Sequence, residues 1–361
     1  MATRKSVYYW KSDRSHASAN TQILSDDIRI EIEKQLISYI KVHFGNGDIT
    51  ISPAGGQGNH ITYFLFRGQN KYFVRLENGP EKDNYMSVES EVIRQVRECN
   101  VPVPKIYLTD TSRVYAPFAI QIMECLEQKD LNVVEKKGEL DIISIAETLG
   151  QYIARWQSIR PVNFGLFNPE VLLKEKQLEG FHDTYPQYFF LNWEVHLDYL
   201  TKSGFIRQAK AEELKHLVEE FRPLLQLEKG CLVHKDLALW NVMGEKDKIS
   251  AVIDWDDAVS GDPMDDLALL GCFHSGKVVL SAIHGYMKEK TLPQNYEQRF
   301  WLHLLRNIIF KSVIRVRGNY FDKAESFFLN HPKQKDLKSF TLDRIESAIG
   351  GLKGNKSIIS L

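Results

Sequence analysis

Apolar positions follow two regimes along this chain: an early stretch of strand-like alternation, then a long stretch spaced by threes and fours. The segment LSDDIRIEIEKQLISYIKVHFG predicts the first helix, with Ser25 or Asp26 as cap, acids in the first turn and Gly45 as its end. The period then changes. ITYFLF (61–66) and YFVRL (72–76) are rich in β-branched and aromatic side chains, and the polar link RGQNK joins them as a hairpin. A helix is expected over 88–98, stopped by the stiff VPVPK, and a strand in APFAIQIMECL. From about residue 141 the helical period dominates, with helices expected over 143–159, 191–202, 208–227, 265–273, 276–289, 294–315 and 339–349. One interruption, CLVHKDLALWNVMGEKDKISAVIDWDDAVSGDPMDDLA, sets short apolar runs and a charged turn between helices. The pattern is an α+β chain of unequal lobes: a tail at 1–22, a sheet lobe at 23–123, a link at 124–128, a mostly helical lobe at 129–351 and a fraying end at 352–361.

At 361 residues the chain has room for two domains or for one domain built as two lobes. Lys and Arg number 46 against 47 Asp and Glu, a formal net charge of −1. That balance argues against a surface built wholly to hold nucleic acid or an anionic membrane, so neither is expected as a partner, and nothing calls for an obligate protein partner. Charged residues at 26% and hydrophobic ones at 43% are ordinary globular values, which removes disorder, collagen and coiled coil. Four scattered cysteines without a CxxC pair suit a reducing cytosol better than a disulfide framework or a zinc site. No signal peptide and no run of 18 apolar residues is present, so the expectation is a soluble cytoplasmic protein.

The interruption carries the chemistry. NVM, the turn GEKDKIS and AVID read as a hairpin; with Val242 opposite Ile253 and Met243 opposite Val252, Asn241 and Asp254 face each other at its open end. Cross-strand neighbours lie about 4.5–5.5 Å apart at Cβ. Asp236, five residues before Asn241, brings a third oxygen-bearing side chain from the adjacent loop. Hard cations such as Mg²⁺ favour one or two carboxylates completed by phosphates and water, and a further carboxylate beside the metal is placed to orient a hydroxyl. Asp-rich turns between helices are often only solvated, but Leu232, Val233, Val252, Ile253 and Trp255 should pin these acids at an element edge.

HKDLALWN followed by IDWDD resembles the protein-kinase-like pattern H-x-D-x-x-x-x-N with a later metal-binding Asp. With GDPMDDLA after it, the text is similar to the aminoglycoside phosphotransferase family, whose relatives include choline, homoserine and fructosamine kinases. The resemblance implies a bilobal protein-kinase-like fold that uses ATP or GTP with Mg²⁺. It implies Asp236 as the catalytic Asp acting on the acceptor hydroxyl, and Asn241 and Asp254 as Mg²⁺ ligands in the catalytic set. His234 would pack under the loop, Asp262 would hold that loop's backbone, and Asp266 would cap or anchor the following helix. Gly55, Gly56, Gln57, Gly58 and Asn59 resemble the nucleotide-phosphate loop, although glycine before a strand is often just a turn. Arg75 stands where kinases usually carry Lys, with Glu89 as its partner, and the base would lie against Glu124, Cys125 and Leu126, with Ile122 or Met123 lining its pocket. Two features depart from the family pattern: Trp156 replaces a usual histidine in IARWQSI, and CLEQKDL lacks the glycine that commonly follows the link.

The implied reaction is γ-phosphoryl transfer to a small-molecule hydroxyl. A protein substrate fits poorly, because GDP begins only five residues after Asp256 and leaves no long activation segment. If Asp256, Asp257, Glu194 and Asp198 converge, the pocket is acidic and suits a cationic acceptor, an aminoglycoside or another amine-bearing alcohol. Tyr185, Trp193 and Trp240 either line it or fill the core. Two other classes stay open: a catalytically silent nucleotide-binding regulator with the same fold, and a non-kinase binding or structural protein.

Overall fold

The computed structural model of the protein describes residues 3–13, 26–54, 60–77, 81–330 and 336–361. The glycine-rich loop expected to meet phosphate, Gly55, Gly56, Gln57, Gly58 and Asn59, lies outside them.

The sheet lobe holds five strands, β1 (Ile49–Pro53), β2 (His60–Arg67), β3 (Asn70–Glu77), β4 (Ile106–Asp110) and β5 (Ile120–Glu124), in the order β1-β2-β3-β5-β4. Every neighbouring pair is antiparallel. Arg67 pairs with Asn70, so the link is a two-residue turn at Gly68 and Gln69, tighter than expected. Gly68 has φ +58°, where a side chain is strained. β1 and β4 are too short and irregular to show in the pattern. β1 thus stands ahead of the strand that the pattern gives as the first.

The helix Asp26–Phe44 covers one face of the sheet, where Leu36, Tyr39 and Ile40 meet Tyr63, Leu65, Val74, Leu76, Ile120 and Ile122. The helix Tyr85–Glu98 sends Val88, Val92 and Val96 into the core of the large lobe. Alternation along β3 therefore buries Val74 and Leu76 on one side and turns Arg75 to the other, between the lobes.

The helical lobe follows the expected spacing closely: Ile142–Trp156, Trp193–Lys202, Gln208–Glu220, Asp265–Leu270, Gly276–Met287, Tyr296–Arg317 and Leu337–Leu352. Tyr296–Arg317 runs through its middle, buried from Phe300 to Val313. Ile142–Trp156 crosses Gly276–Met287 closely enough that a Cβ on Gly285 would sit 1.8 Å from the Glu147 carbonyl oxygen. No described helix is long and apolar enough to cross a membrane.

The termini differ from expectation. Residues 3–13 of the supposed tail form a strap folded into the large lobe, with Val7, Tyr8, Tyr9 and Trp10 all buried. The Tyr188 hydroxyl donates to the Tyr8 carbonyl at 2.9 Å. Asp13 accepts from Asn192 at 2.8 Å and pairs with His196 at 2.5 Å. The apolar run VYYW has enough area to dock; the polar residues around it hide the signal. At the other end, Ile358 is buried in the same core and the Leu361 carbonyl accepts from Arg344 at 2.7 Å.

Candidate functional site

The hairpin forms one residue out of the expected register: Val242 pairs with Val252 and Met243 with Ala251, and the register shifts after Met243. Asn241 consequently stands opposite Ile253, whose N–H donates to the Asn241 carbonyl at 2.9 Å. Asp254 follows in a left-handed turn at φ +67°. A non-glycine residue holds that conformation only where its surroundings compel it. Here the turn still leaves the Asp254 side chain at the hairpin's open end, beside the loop 234–241.

Asp236 is 4% exposed and both its oxygens are engaged. Lys311, from the long helix, donates to Oδ1 at 3.0 Å, and Asn241 Nδ2 donates to Oδ2 at 3.1 Å and to the Asp236 carbonyl at 2.8 Å. Burial alone would raise this carboxyl; Lys311 and Lys11 outweigh it and hold it below the usual range. Asn241 spends its amide nitrogen on Asp236, which leaves the amide oxygen as its metal-capable atom. Asp254 is pushed well above the ordinary carboxylate range by burial and then by Asp256. An oxygen donor and a carboxylate under repulsion fit a hard divalent cation. Among the described residues no group of three or more His, Cys, Asp and Glu could hold a metal by itself, so phosphate and water would complete the coordination.

Arg75 meets Glu89 at 2.5 Å, as expected, and its other nitrogen lies 3.8 Å from Asp254. Glu91, two positions along the helix, binds Arg94 on its exposed side. At the link, Glu124 exchanges backbone and side-chain contacts with Lys105 (2.8 and 3.0 Å), and Cys125 and Leu126 are half-buried. Ile122 belongs to the sheet core and Met123 to the opposite face.

His234 is fully buried and plays the expected packing part. Its Nε2 bonds the Ile253 carbonyl at 2.9 Å and its Nδ1 accepts from the Asp236 N–H at 3.3 Å, which fixes a neutral tautomer. The loop-holding role expected of Asp262 falls to Asp266. Asp266, not Asp262, holds the loop backbone, accepting from the N–H groups of His234 (2.9 Å) and Lys235 (3.1 Å) and from the Trp156 indole (3.1 Å). Burial pushes its carboxyl up to about 7. Asp262 closes the turn ahead of the next helix, accepting from the Met264 N–H at 2.8 Å, and pairs with Arg299 at 2.5 Å. Trp156, in place of the usual histidine, thus still serves the loop.

The four acids expected to form an acceptor pocket divide. Asp256 and Asp257 are buried beside Asp236, whereas Glu194 and Asp198 are exposed and lie in the field of Lys215. Asp256 lies 3.9 Å from His60, and burial followed by repulsion from Asp256 and Asp236 pushes Asp257 up to about 7. Tyr185 and Trp193 are core; Trp240 packs on Phe273 and Phe328.

Sequence reasoning missed the strap and two lysines. Lys235, at φ +70° and fully buried, donates to Asp265 (2.7 Å), the Tyr8 hydroxyl (2.7 Å) and Asn307 (3.0 Å). Tyr9 stacks on Phe310 with 4.4 Å between centroids, and burial followed by the nearby Asp236 charge raises its phenol well above 10. Lys11 is half-buried in the field of Asp236, Asp254, Asp257 and Asp256.

Residues 50–308 match the sequence profile of the phosphotransferase enzyme family. Among solved structures the chain is similar to a thermostable mutant of aminoglycoside phosphotransferase APH(4)-Ia in a ternary complex with AMP-PNP and hygromycin B. That match has 15% identity and a TM-score of 0.60, and covers 89% of this chain and 98% of the other. A protein assigned as a fructosamine-3-kinase from Haemophilus somnus gives 16% identity, TM-score 0.58 and coverage of 87% and 96%. The streptomycin–ATP complex of APH(2")-IIa gives 14%, 0.55, 92% and 99%. None of the curated proteins matches significantly.

Proposed function

The chain belongs to the phosphotransferase enzyme family, and on that premise we propose that it transfers the γ-phosphoryl group of ATP or GTP, with Mg²⁺, to a hydroxyl of a small molecule. The observation that carries this reading is the buried Asp236 carboxylate, held by Lys311 and Asn241 beside the turn that presents Asp254. With both oxygens anchored, Asp236 has a fixed lone pair for the acceptor hydroxyl, and orientation of this kind lowers a barrier without new covalent chemistry. Arg75, braced by Glu89, faces the phosphate side and offers charge there. Asn241 and Asp254 would hold Mg²⁺, which when bound supplies neutralisation of the phosphate oxygens. A location in the cytoplasm is proposed from the cysteine usage, four scattered cysteines without a CxxC pair.

An acceptor of aminoglycoside or amino-alcohol type was expected from four converging acids. Two of the four lie on the exposed helix Trp193–Lys202 instead, so the acceptor class needs separate argument. The test is nucleoside diphosphate release with ATP or GTP against a panel of hydroxyl compounds, set beside Asp236→Asn. Transfer in the variant should fall by roughly 10²–10⁴-fold while nucleotide-dependent thermal stabilisation persists. Full activity of the variant would sink the assignment.

A further inference from the structure

Within the helical lobe lies a cavity walled by Trp240, Phe273, Phe328 and Phe340, each half-buried, with Arg315 and Glu135 also in its lining. The Trp240 ring meets Phe273 and Phe328 edge-on, at 4.9 and 5.1 Å between centroids. The wall that carries Phe328 is tied down. Its carbonyl accepts from Asn132 at 3.1 Å, and the Phe327 carbonyl accepts from Lys136 Nζ at 2.8 Å.

Arg315 is 2% exposed. Its Nη1 donates to the Thr341 hydroxyl at 2.7 Å, but Nη2 has no partner among the described residues. Burial lowers its pKa to about 10, and the like charge of Arg344 acts in the same direction. A buried guanidinium nitrogen without an acceptor is costly, and it marks where one is missing. The other charged groups at the cavity do not fill that place. Lys136 is a cation, and His274 stands 4.0 Å from Glu135, whose carboxyl burial raises.

We propose that this cavity binds a small monocarboxylate with an apolar or aromatic body: the carboxylate accepts from Arg315 Nη2, and the body rests against Trp240, Phe273, Phe328 and Phe340. Size and charge select this class. The cavity is about 40 Å³, and one water needs about 10–15 Å³. A carboxylate group is therefore enclosed, while the rest of the molecule lies among the half-buried rings. A single unpartnered nitrogen, with Glu135 in the same lining, favours one negative charge over the two of a phosphate. The cavity also borders the catalytic loop. Trp240 immediately precedes Asn241, and the Phe273 ring lies 5.3 Å from the Lys311 ammonium that holds Asp236. The proposal stands on the cavity and does not require the phosphotransferase reading.

Calorimetry and thermal melting of the full chain test it, with sodium benzoate, neutral benzamide and sodium chloride at matched ionic strength. Benzoate should saturate with a Kd of about 1 mM and raise the Tm. Benzamide should bind at least about tenfold more weakly, and Arg315→Gln should lose at least about tenfold in benzoate affinity. Equal binding of benzamide, unchanged benzoate affinity in Arg315→Gln, or no saturable benzoate binding up to about 10 mM would overturn the proposal; the last is the result if the cavity holds only water. If Arg315→Gln does not melt cooperatively, Phe328→Ala takes its place, and unchanged benzoate affinity there overturns the proposal equally. Diphosphate release from ATP then separates two sources of the carboxylate. Turnover of a hydroxy acid but not of its amide places the carboxylate on the acceptor, whereas a change in the turnover of another hydroxyl compound on adding benzoate marks a separate effector.

Discussion

At the residue scale, the cleft is a set of buried charges that are each tolerable only because another is present. Arg75 and Glu89 are both buried, and Glu89 is 1% exposed. Removing one partner of such a pair strands the other in low dielectric. Glu89→Ala should therefore cost about 3 kcal/mol in denaturant unfolding and weaken nucleotide-dependent thermal stabilisation. Loss of stability with nucleotide affinity intact would show that Arg75 needs no brace. The Asp236–Lys311 pair has the same character, which is why the isosteric Asp236→Asn is the cleaner probe of chemistry. Asp236, Asn241 and Asp254 were legible in the spacing of one hairpin and its adjoining loop, whereas Arg75 and Glu89 were legible only through the family resemblance. Lys311 was not: it lies 75 positions from Asp236, and only helix packing brings them together.

At the element scale, two kinds of prediction fared differently. The long helices of the large lobe were placed within a few residues, since three-and-four spacing leaves little freedom. The exceptions are the helix expected over 208–227, which ends at Glu220, and the short helices Leu131–Lys136, Pro169–Glu175 and Tyr185–Phe189, which were not expected. Short elements were misread. β1 and β4 escaped notice, and the hairpin at 242–252 pairs one residue away from the expected register, with a further shift after Met243. Register is set by the pairing itself, and a single bulge shifts every partner beyond it. Helix contact has its own requirement. Gly285 packs directly on the Glu147 carbonyl, so Gly285→Ala must part the helices Ile142–Trp156 and Gly276–Met287. Overpacking typically costs 1–3 kcal/mol, offset by a helix-propensity gain of up to about 1. A net loss of about 2 kcal/mol in chemical denaturation is expected; a stabilised variant would mean that the crossing is looser than it stands.

On the scale of the whole molecule, the strap ties the first residues of the chain to the loop 234–241 through Tyr8 and Lys235 and to the helix Trp193–Lys202 through Asp13. His196 completes this tie. Its Nε2 faces Asp13 and its Nδ1 accepts from Arg306 at 3.2 Å, so it is held neutral, and burial lowers its pKa. Between that lowered value and about 6.5 the unfolded chain binds more protons than the folded one, so stability falls as the pH drops. Asp13, which His196 and its other donors hold at about 2 against the opposing effect of burial, stays ionised throughout that window. Thermal melting from pH 7 to pH 5 should show a declining Tm, and His196→Gln should lose part of that decline. An identical slope in the variant would detach the strap from the acid response.

The sequence by itself determined the fold class, the helical run of the large lobe and the acids at the hairpin's open end, because each follows from periodicity or spacing inside a contiguous segment. Tertiary structure alone decided which side chains neutralise those acids. Lys311, from a helix far down the chain, pairs with Asp236, and Asp266 took the loop-holding place expected of Asp262. Charge balance at a site depends on distance and burial in three dimensions, and local pattern carries information on neither.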